Sequence, residues 1–179
     1  MWGVDSIFDE KPKPRYELRS EPLTVSDRDF RPIFKLNDNY RPLEYIENDF
    51  EDNGETVIDH ATGLMWQKSG SDFKYLEDVQ EYVQELNKKR FVGYNDWRFP
   101  TIDELISLIN PEKQSNNLHI DTIFDKKQRW CWSSDTRTFR GAFSLTFNGG
   151  KVHWTYEFSG RYVRAVRSQS GPSQVPPGQ

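Results

Sequence analysis

Proline sets the strongest limits on this chain. Five of its ten prolines fall at positions 12, 14, 22, 32 and 42, and three more at 172, 176 and 177. Only Pro100 and Pro111 interrupt residues 51–171. Each proline fixes φ, removes a backbone donor and keeps the preceding residue out of the helical region. Regular structure is therefore expected in the middle of the chain. The expected organisation is an extended arm over 1–50, a folded domain over 51–167 and a disordered tail over 168–179. A length of 179 residues suits one domain with extensions.

The arm is not compositionally inert. It carries eight aromatics, Trp2, Phe8, Tyr16, Phe30, Phe34, Tyr40, Tyr45 and Phe50, and a ten-residue echo in which Phe30-Arg31-Pro32-Ile33 recurs as Tyr40-Arg41-Pro42-Leu43. Proline-stiffened segments with flanking aromatics can dock at low ordering cost. Phe30, Arg31, Phe34, Tyr40, Arg41 and Tyr45 are therefore the candidate residues for a protein partner or a second copy of the chain. Burial on the chain's own domain is the other destination for these side chains.

Within 51–167 the pattern alternates between strand and helix signals. Glu55–Asp59 and Leu64–Gln67 flank a turn in which Gly63 suits positive φ, which predicts a hairpin. Leu76, Val79, Val83 and Leu86 recur at helical spacing, predicting a helix over 75–90. Thr101 with Glu104 forms a capping-box pattern ahead of Ile102, Leu105, Ile106 and Ile109, a second helix that Pro111 stops. Trp130–Ser133 reads as a short strand. Phe143, Leu145 and Phe147 alternate with polar residues up to Asn148-Gly149-Gly150, and Val152, Trp154, Tyr156 and Phe158 resume the alternation, a strong hairpin signal. Arg161–Arg167 reads as a last strand. A hairpin, two helices and then a run of strands make an α+β fold.

Several classes of chemistry are not expected. A net charge of −4 argues against a nucleic-acid binder. No apolar run is long enough for a membrane span. The N-terminus has no basic region followed by an apolar stretch, so no secretory signal is expected. The three histidines, His60, His119 and His153, have no metal-ligand spacing, so neither a metal nor another cofactor is expected. Cys131, the single cysteine, reads as a small buried hydrophobe rather than a nucleophile. Ser133 and Ser134 have no sequence-level base, and no Gly-x-Ser-x-Gly elbow is present. Asp96 reads as a cap or ion-pair partner. Trp66, Trp97 and Trp132 read as core. Arg98, Arg161, Arg164 and Arg167 read as structural cations stacked on aromatics, with an anion-binding surface as the alternative.

The middle of the chain also carries a resemblance. Asp59 and Ala61-Thr62-Gly63-Leu64-Met65-Trp66-Gln67, then Gly93-Tyr94-Asn95-Asp96-Trp97-Arg98-Phe99-Pro100-Thr101-Ile102-Asp103-Glu104-Leu105, Cys131-Trp132-Ser133-Ser134 and Tyr162-Val163-Arg164-Ala165-Val166-Arg167 follow one another in order. This succession resembles the C-terminal domain of the Legionella collagen-like adhesin, a bacterial family first described as of unknown function. Phe99 stands where the family has leucine, and one cysteine where many members have a pair. The resemblance covers about residues 55–167. It implies a C-type-lectin-like fold, two helices on twisted antiparallel sheets, related to formylglycine-generating-enzyme-like domains and to hypervariable proteins of diversity-generating retroelements. It implies a binding module rather than an enzyme, and the named adhesin recognises sulfated glycosaminoglycans. In such a fold the late strands and loops form the ligand face. The nominated residues are Trp130, Asp135, Arg137, Arg140, Asn148, Lys151, His153, Trp154 and Tyr156. A sulfated or acidic glycan is the alternative ligand to a protein partner. The expected compartment is the cytoplasm, or the cell exterior by a route without a signal peptide.

Overall fold

The computed structural model describes residues 12–169. The chain is a mixed α+β body of two four-stranded sheets. Its elements are β1 (Thr24–Val25), α1 (Phe30–Ile33), β2 (Phe50–Asp52), β3 (Thr56–Asp59), β4 (Leu64–Gln67), α2 (Val79–Lys88, entered through a 3-10 turn at Leu76–Asp78), α3 (Ile102–Ile106), β5 (Trp130–Arg137), β6 (Ala142–Thr146), β7 (Lys151–Thr155) and β8 (Val166–Ser168). One sheet runs β1-β5-β6-β7 and the other β2-β3-β4-β8. The first is mixed rather than antiparallel, because β1 lies parallel to β5.

The two hairpins form where the turn chemistry puts them. Gly63, at φ +69, closes β3 onto β4, and its N–H donates to the Asp59 carbonyl at 2.8 Å. Both strands are buried on both faces. Val57, Leu64 and Trp66 face the main core between the sheets, and Ile58 and Met65 pack with Trp97 and Ala165 on the other side. The helix α2 spans the two outer layers. Its first turn, at Val79, packs on Trp132, Ala142 and Val163, while Leu86 reaches the Ile58–Trp97 cluster.

The second helix is shorter than its apolar spacing predicts, ending at Ile106 although Leu108 and Ile109 stay buried. The last strand also shrinks. Arg161 and Tyr162 make only isolated bridges, and regular pairing starts at Val166. Arg164 causes the break. Its fully buried guanidinium donates to the carbonyls of Gln67 (3.0 Å), Lys68 and Asp125 (3.1 Å), which holds the backbone off a straight ladder.

The largest departure concerns the first fifty residues. In place of an extended arm, the described part of this segment, residues 12–50, is built into the body. Phe30 and Phe34, 5% and 3% exposed, lie in the main core with Val25 and Leu36. Both rings contact Phe143 of β6, at 5.3 and 5.0 Å between centroids. Phe30 and Phe34 are therefore spent mainly on the chain's own core rather than held out for a partner. Burying each such side chain contributes roughly 1.5–3 kcal/mol, so the folded unit begins well before residue 51. Trp2 and Phe8 of the expected arm lie outside the described residues. So does the expected tail from residue 170 onward. Ser168 closes β8, and the Gln169 N–H donates to the Gly63 carbonyl at 2.9 Å.

A polar lock holds the first segment in place. Asp135, fully buried in β5, accepts from Arg19 Nη1 (2.8 Å) and Nη2 (2.9 Å), from the Leu23 N–H (2.7 Å) and from the Ile102 N–H (2.7 Å). Asp135 was nominated above for ligand binding; every one of these bonds is internal, and it is a structural carboxylate. Removing one partner of a buried pair costs about 3–5 kcal/mol. The Asp135→Ala chain should lose stability of that order in urea unfolding. A chain starting at residue 51 should show no cooperative transition. An unchanged midpoint, or a truncated chain that unfolds cooperatively, would contradict this account.

Candidate functional site

The Gly93–Leu105 segment turns out to be internal scaffolding. Thr101 caps α3, accepting from the Glu104 N–H at 3.2 Å, while Glu104 Oε2 accepts from the Thr101 N–H at 2.9 Å. Arg98 meets the buried Glu104 through two bonds, at 2.7 and 2.5 Å. Asp96 holds Arg167 at 2.7 and 3.1 Å, and that guanidinium also lies 3.8 Å from the Tyr94 ring centroid. Trp97 is pinned by Asn87, whose Oδ1 accepts its N–H and whose Nδ2 donates to its carbonyl, each at 2.8 Å. Asp96 and Arg167 are thus paired with each other and Arg98 with Glu104, and none of the three is free for ligand.

The outer face of the β5-β6-β7 sheet is different. Strand register places Trp132 beside Ser144 and Ser144 beside His153, so Trp130, Trp132, Ser144, His153 and Lys151 share the face turned away from the main core. Helix α2 covers Trp132. Trp130 lies beyond the helix, half-buried, and its Nε1 donates to Ser144 Oγ at 3.1 Å. Arg161 lies flat on it, 3.6 Å from the ring centroid, and the His153 ring stands 5.6 Å away at 49°. Arg161 donates to Thr155 Oγ1 (3.1 Å) and to the Gly160 carbonyl (2.6 Å), and its buried Nε has no partner. Neither Arg161 nor Lys151 has a carboxylate partner among the described residues. Burial lowers the Arg161 pKa. Burial, then Lys151 and Arg161, hold His153 below its ordinary value.

A small pocket of about 270 Å³ opens at the β7 edge, lined by Phe30, Tyr40, Val152, His153 and Trp154. Tyr40 stacks on Phe30 at 5.6 Å, and its carbonyl accepts from the Val152 N–H at 3.0 Å. The pocket joins residues from the first segment to residues of the late hairpin. Arg31 lies against this corner, 5.9 Å from the Tyr40 ring, and pairs with Asp38. Arg41 is tied into a tight loop, its N–H donating to Asn37 Oδ1 at 3.1 Å. Tyr45 is exposed beside a separate groove.

The remaining nominated residues divide. Arg137 is consumed. It donates to both Asp27 oxygens, one at 2.7 Å, and to the Arg140 carbonyl, and it stacks 3.8 Å from the Trp154 ring and 5.3 Å from that of Tyr156. That pairing raises the Arg137 pKa and lowers that of Asp27. Trp154 and Tyr156 are exposed and meet edge to face at 5.6 Å. Arg140 and Asn148 sit exposed in the turns at opposite ends of β6, so no single site contains both. The structure therefore groups Trp130, Lys151 and His153, adds Arg161, which had read as structural, and joins Phe30 and Tyr40 to His153 and Trp154.

The comparison with known families now has a geometry to attach to. The family model for the Lcl C-terminal domain matches residues 55–167. The chain belongs to that family. The matched segment holds β3 through β7 and all but the last residue of β8, whereas β1, α1 and β2 precede it. No curated protein matches the chain. As a member of the Lcl C-terminal domain family the chain is an adhesin-related binding module in its overall class. Among the described residues no helix is long and apolar enough to cross a membrane.

His153 gives this face a pH signature. Its folded pKa lies below the 6.5 of the free side chain, so the unfolded state binds the proton more readily. Stability on this account is full above pH 6.5 and falls as pH drops below it, until the folded form protonates too. The His153→Gln chain should show a shallower loss of stability over that interval, measured by thermal unfolding at a series of pH values. Identical profiles for the two chains would contradict it.

Proposed function

We propose that the chain is a non-catalytic binding module with a C-type-lectin-like body, and that its ligand face is the outer surface of β5-β6-β7. The carrying observation is the group Trp130, Arg161, His153 and Lys151: two cations and two aromatic rings with no carboxylate bonded to them among the described residues, on a chain of net charge −4. A guanidinium pre-set on an indole face suits a planar anion such as sulfate or carboxylate. The ligand class this favours is a sulfated or acidic glycan. The non-catalytic reading is supported by the thiol. Cys131 is fully buried, donates to the Gln128 carbonyl at 3.3 Å, and is pushed up to about 11 by burial, so it carries no thiolate near neutral pH.

Heparin serves as the probe. Wild-type protein should bind it with a strong salt dependence, and Lys151→Gln combined with Arg161→Lys should weaken binding about tenfold. The same change at Arg140, remote from the cluster, should have little effect. Binding unaffected by the double change, or no binding at low salt, would remove this reading.

A second reading, assembly through the first segment, keeps one specific support. Although Phe30 and Phe34 are buried, Ile33, Leu43 and Tyr45 stay exposed, and Ile33 and Tyr45 border a groove of about 410 Å³. Light scattering should then give a mass above that of the monomer, reduced to monomer by Leu43→Asp with Tyr45→Ala. A monomeric wild-type chain at high concentration would eliminate it.

A further inference from the structure

A second groove borders the cationic face on the side of the loop after β7 and has the opposite character. It holds about 650 Å³ and is lined by Tyr75, Leu76 and Glu77, which lead into α2, and by Glu157 and Phe158 of the loop after β7. Phe158 is 73% exposed and Tyr75 50%, large values for rings held in a structured region. Neither Glu77 nor Glu157 has an ion-pair or hydrogen-bond partner among the described residues, and the lining includes no lysine or arginine. The groove thus combines two aromatic faces, one aliphatic side chain and two unneutralised carboxylates.

The walls are held at a fixed spacing. Phe73, two residues before Tyr75, meets Tyr75 at 6.4 Å and Tyr162 at 5.9 Å, edge to face in both cases. It also presses on Gly160, where a Cβ would stand only 1.8 Å from Phe73 Cε1. Only glycine allows that approach, so the loop bearing Glu157 and Phe158 is seated against the segment bearing Tyr75 and Glu77. The Lys74 N–H and carbonyl add bonds to the Arg161 carbonyl (2.7 Å) and N–H (2.9 Å).

We propose that this groove docks an extended, basic segment of a partner polypeptide, receiving one arginine or lysine side chain between Tyr75 and Phe158. The argument is charge and surface complementarity. A cation over an aromatic face is attracted by the ring quadrupole, more strongly when partly desolvated. Glu77 and Glu157 neutralise it from the two sides, and Leu76 covers the aliphatic stem that such side chains lay along apolar surface. An acidic ligand, the class proposed for the cationic face, is repelled here, so the two sites select partners of opposite charge.

The test uses a blocked tetra-arginine peptide, with tetraglutamine as the uncharged control, in calorimetric titrations of the full chain. Binding of tetra-arginine and none of tetraglutamine is expected. Glu77→Gln with Glu157→Gln should weaken it at least about tenfold, and Phe158→Ala by several-fold. Glu44→Gln with Glu112→Gln removes the same net charge elsewhere and should leave affinity within about twofold. Thermal unfolding of each variant verifies its fold, and Phe158, being exposed, should alter it little. No binding by the wild-type chain overturns the proposal. Equal losses in the two double variants also overturn it, because they identify a bulk charge effect. None of these substitutions should weaken heparin binding, since they remove no cation, so failure here leaves the reading of the cationic face intact.

Discussion

The Asp135 carboxylate is the interaction on which the arrangement rests. A fully buried carboxylate is costly unless charge and hydrogen bonds compensate it. Here four donors do so: two from Arg19 and one each from the Leu23 and Ile102 backbones. Those donors come from the first segment and from the start of α3, while the acceptor sits in β5. One side chain therefore joins the N-terminal segment, a helix start and the central strand of a sheet. Arg19 extends the junction to Asp103 at 3.2 Å, and Thr101 Oγ donates to the Arg19 carbonyl at 2.8 Å. Once Arg19 is fixed, Leu23 lies against β5, β1 pairs parallel with Thr136 and Arg137, and Phe30 and Phe34 fall onto Phe143.

What was legible in the sequence was local. The Thr101–Glu104 capping box, the Gly63 turn, the helical spacing of Val79 and Val83 and the alternation around Phe143 and Leu145 each depend on neighbours a few residues apart, and each forms as read. The fate of the first segment was not legible, because its anchor pairs residues separated by 116 positions. Proline spacing correctly indicates little regular structure there, but irregular backbone and an undocked arm are different things. Asp135 misled for a related reason. The strand signal stops at Ser133, which leaves Asp135 beyond it on the expected ligand face, whereas β5 runs on to Arg137 and the arrival of Arg19 makes the buried carboxylate tolerable. The β5 register shift between Trp132 and Thr136 adds to this, since it breaks the simple in-and-out count.

The two arginines of the late hairpin region illustrate how a site can be told from a brace. Arg137 and Arg161 both lie flat on tryptophan, at 3.8 and 3.6 Å. The stack is therefore not diagnostic. The difference lies in the carboxylate: Arg137 has Asp27, while Arg161 bonds only to a hydroxyl and a carbonyl and leaves Nε unpartnered. The first is neutralised and its pKa rises; the second is partly desolvated, uncompensated, and its pKa falls. An uncompensated, half-buried cation is destabilising to its own fold, a cost that an anion bound there would relieve. Sequence periodicity, with Arg161, Arg164 and Arg167 three apart, cannot separate these cases.

The same reasoning assigns the family-defining segments and the surface to different tasks. Asp96, Trp97, Arg98, Thr101, Glu104 and Arg164 are all engaged internally, by bonds that close α3, seat the loop before it and replace the missing ladder beside β4. A side chain committed in this way cannot also read a ligand without breaking the scaffold. Recognition must then fall to residues with unused capacity. These lie on β7 and the loops at its ends: Lys151, His153, Trp154, Tyr156, Glu157 and Phe158, together with Tyr40 and Tyr75 brought alongside from elsewhere in the chain. Within this stretch the charge changes sign, cationic toward Trp130 and acidic toward Phe158. A ligand bound across it would meet both fields at once, which favours two separate partners over one extended one.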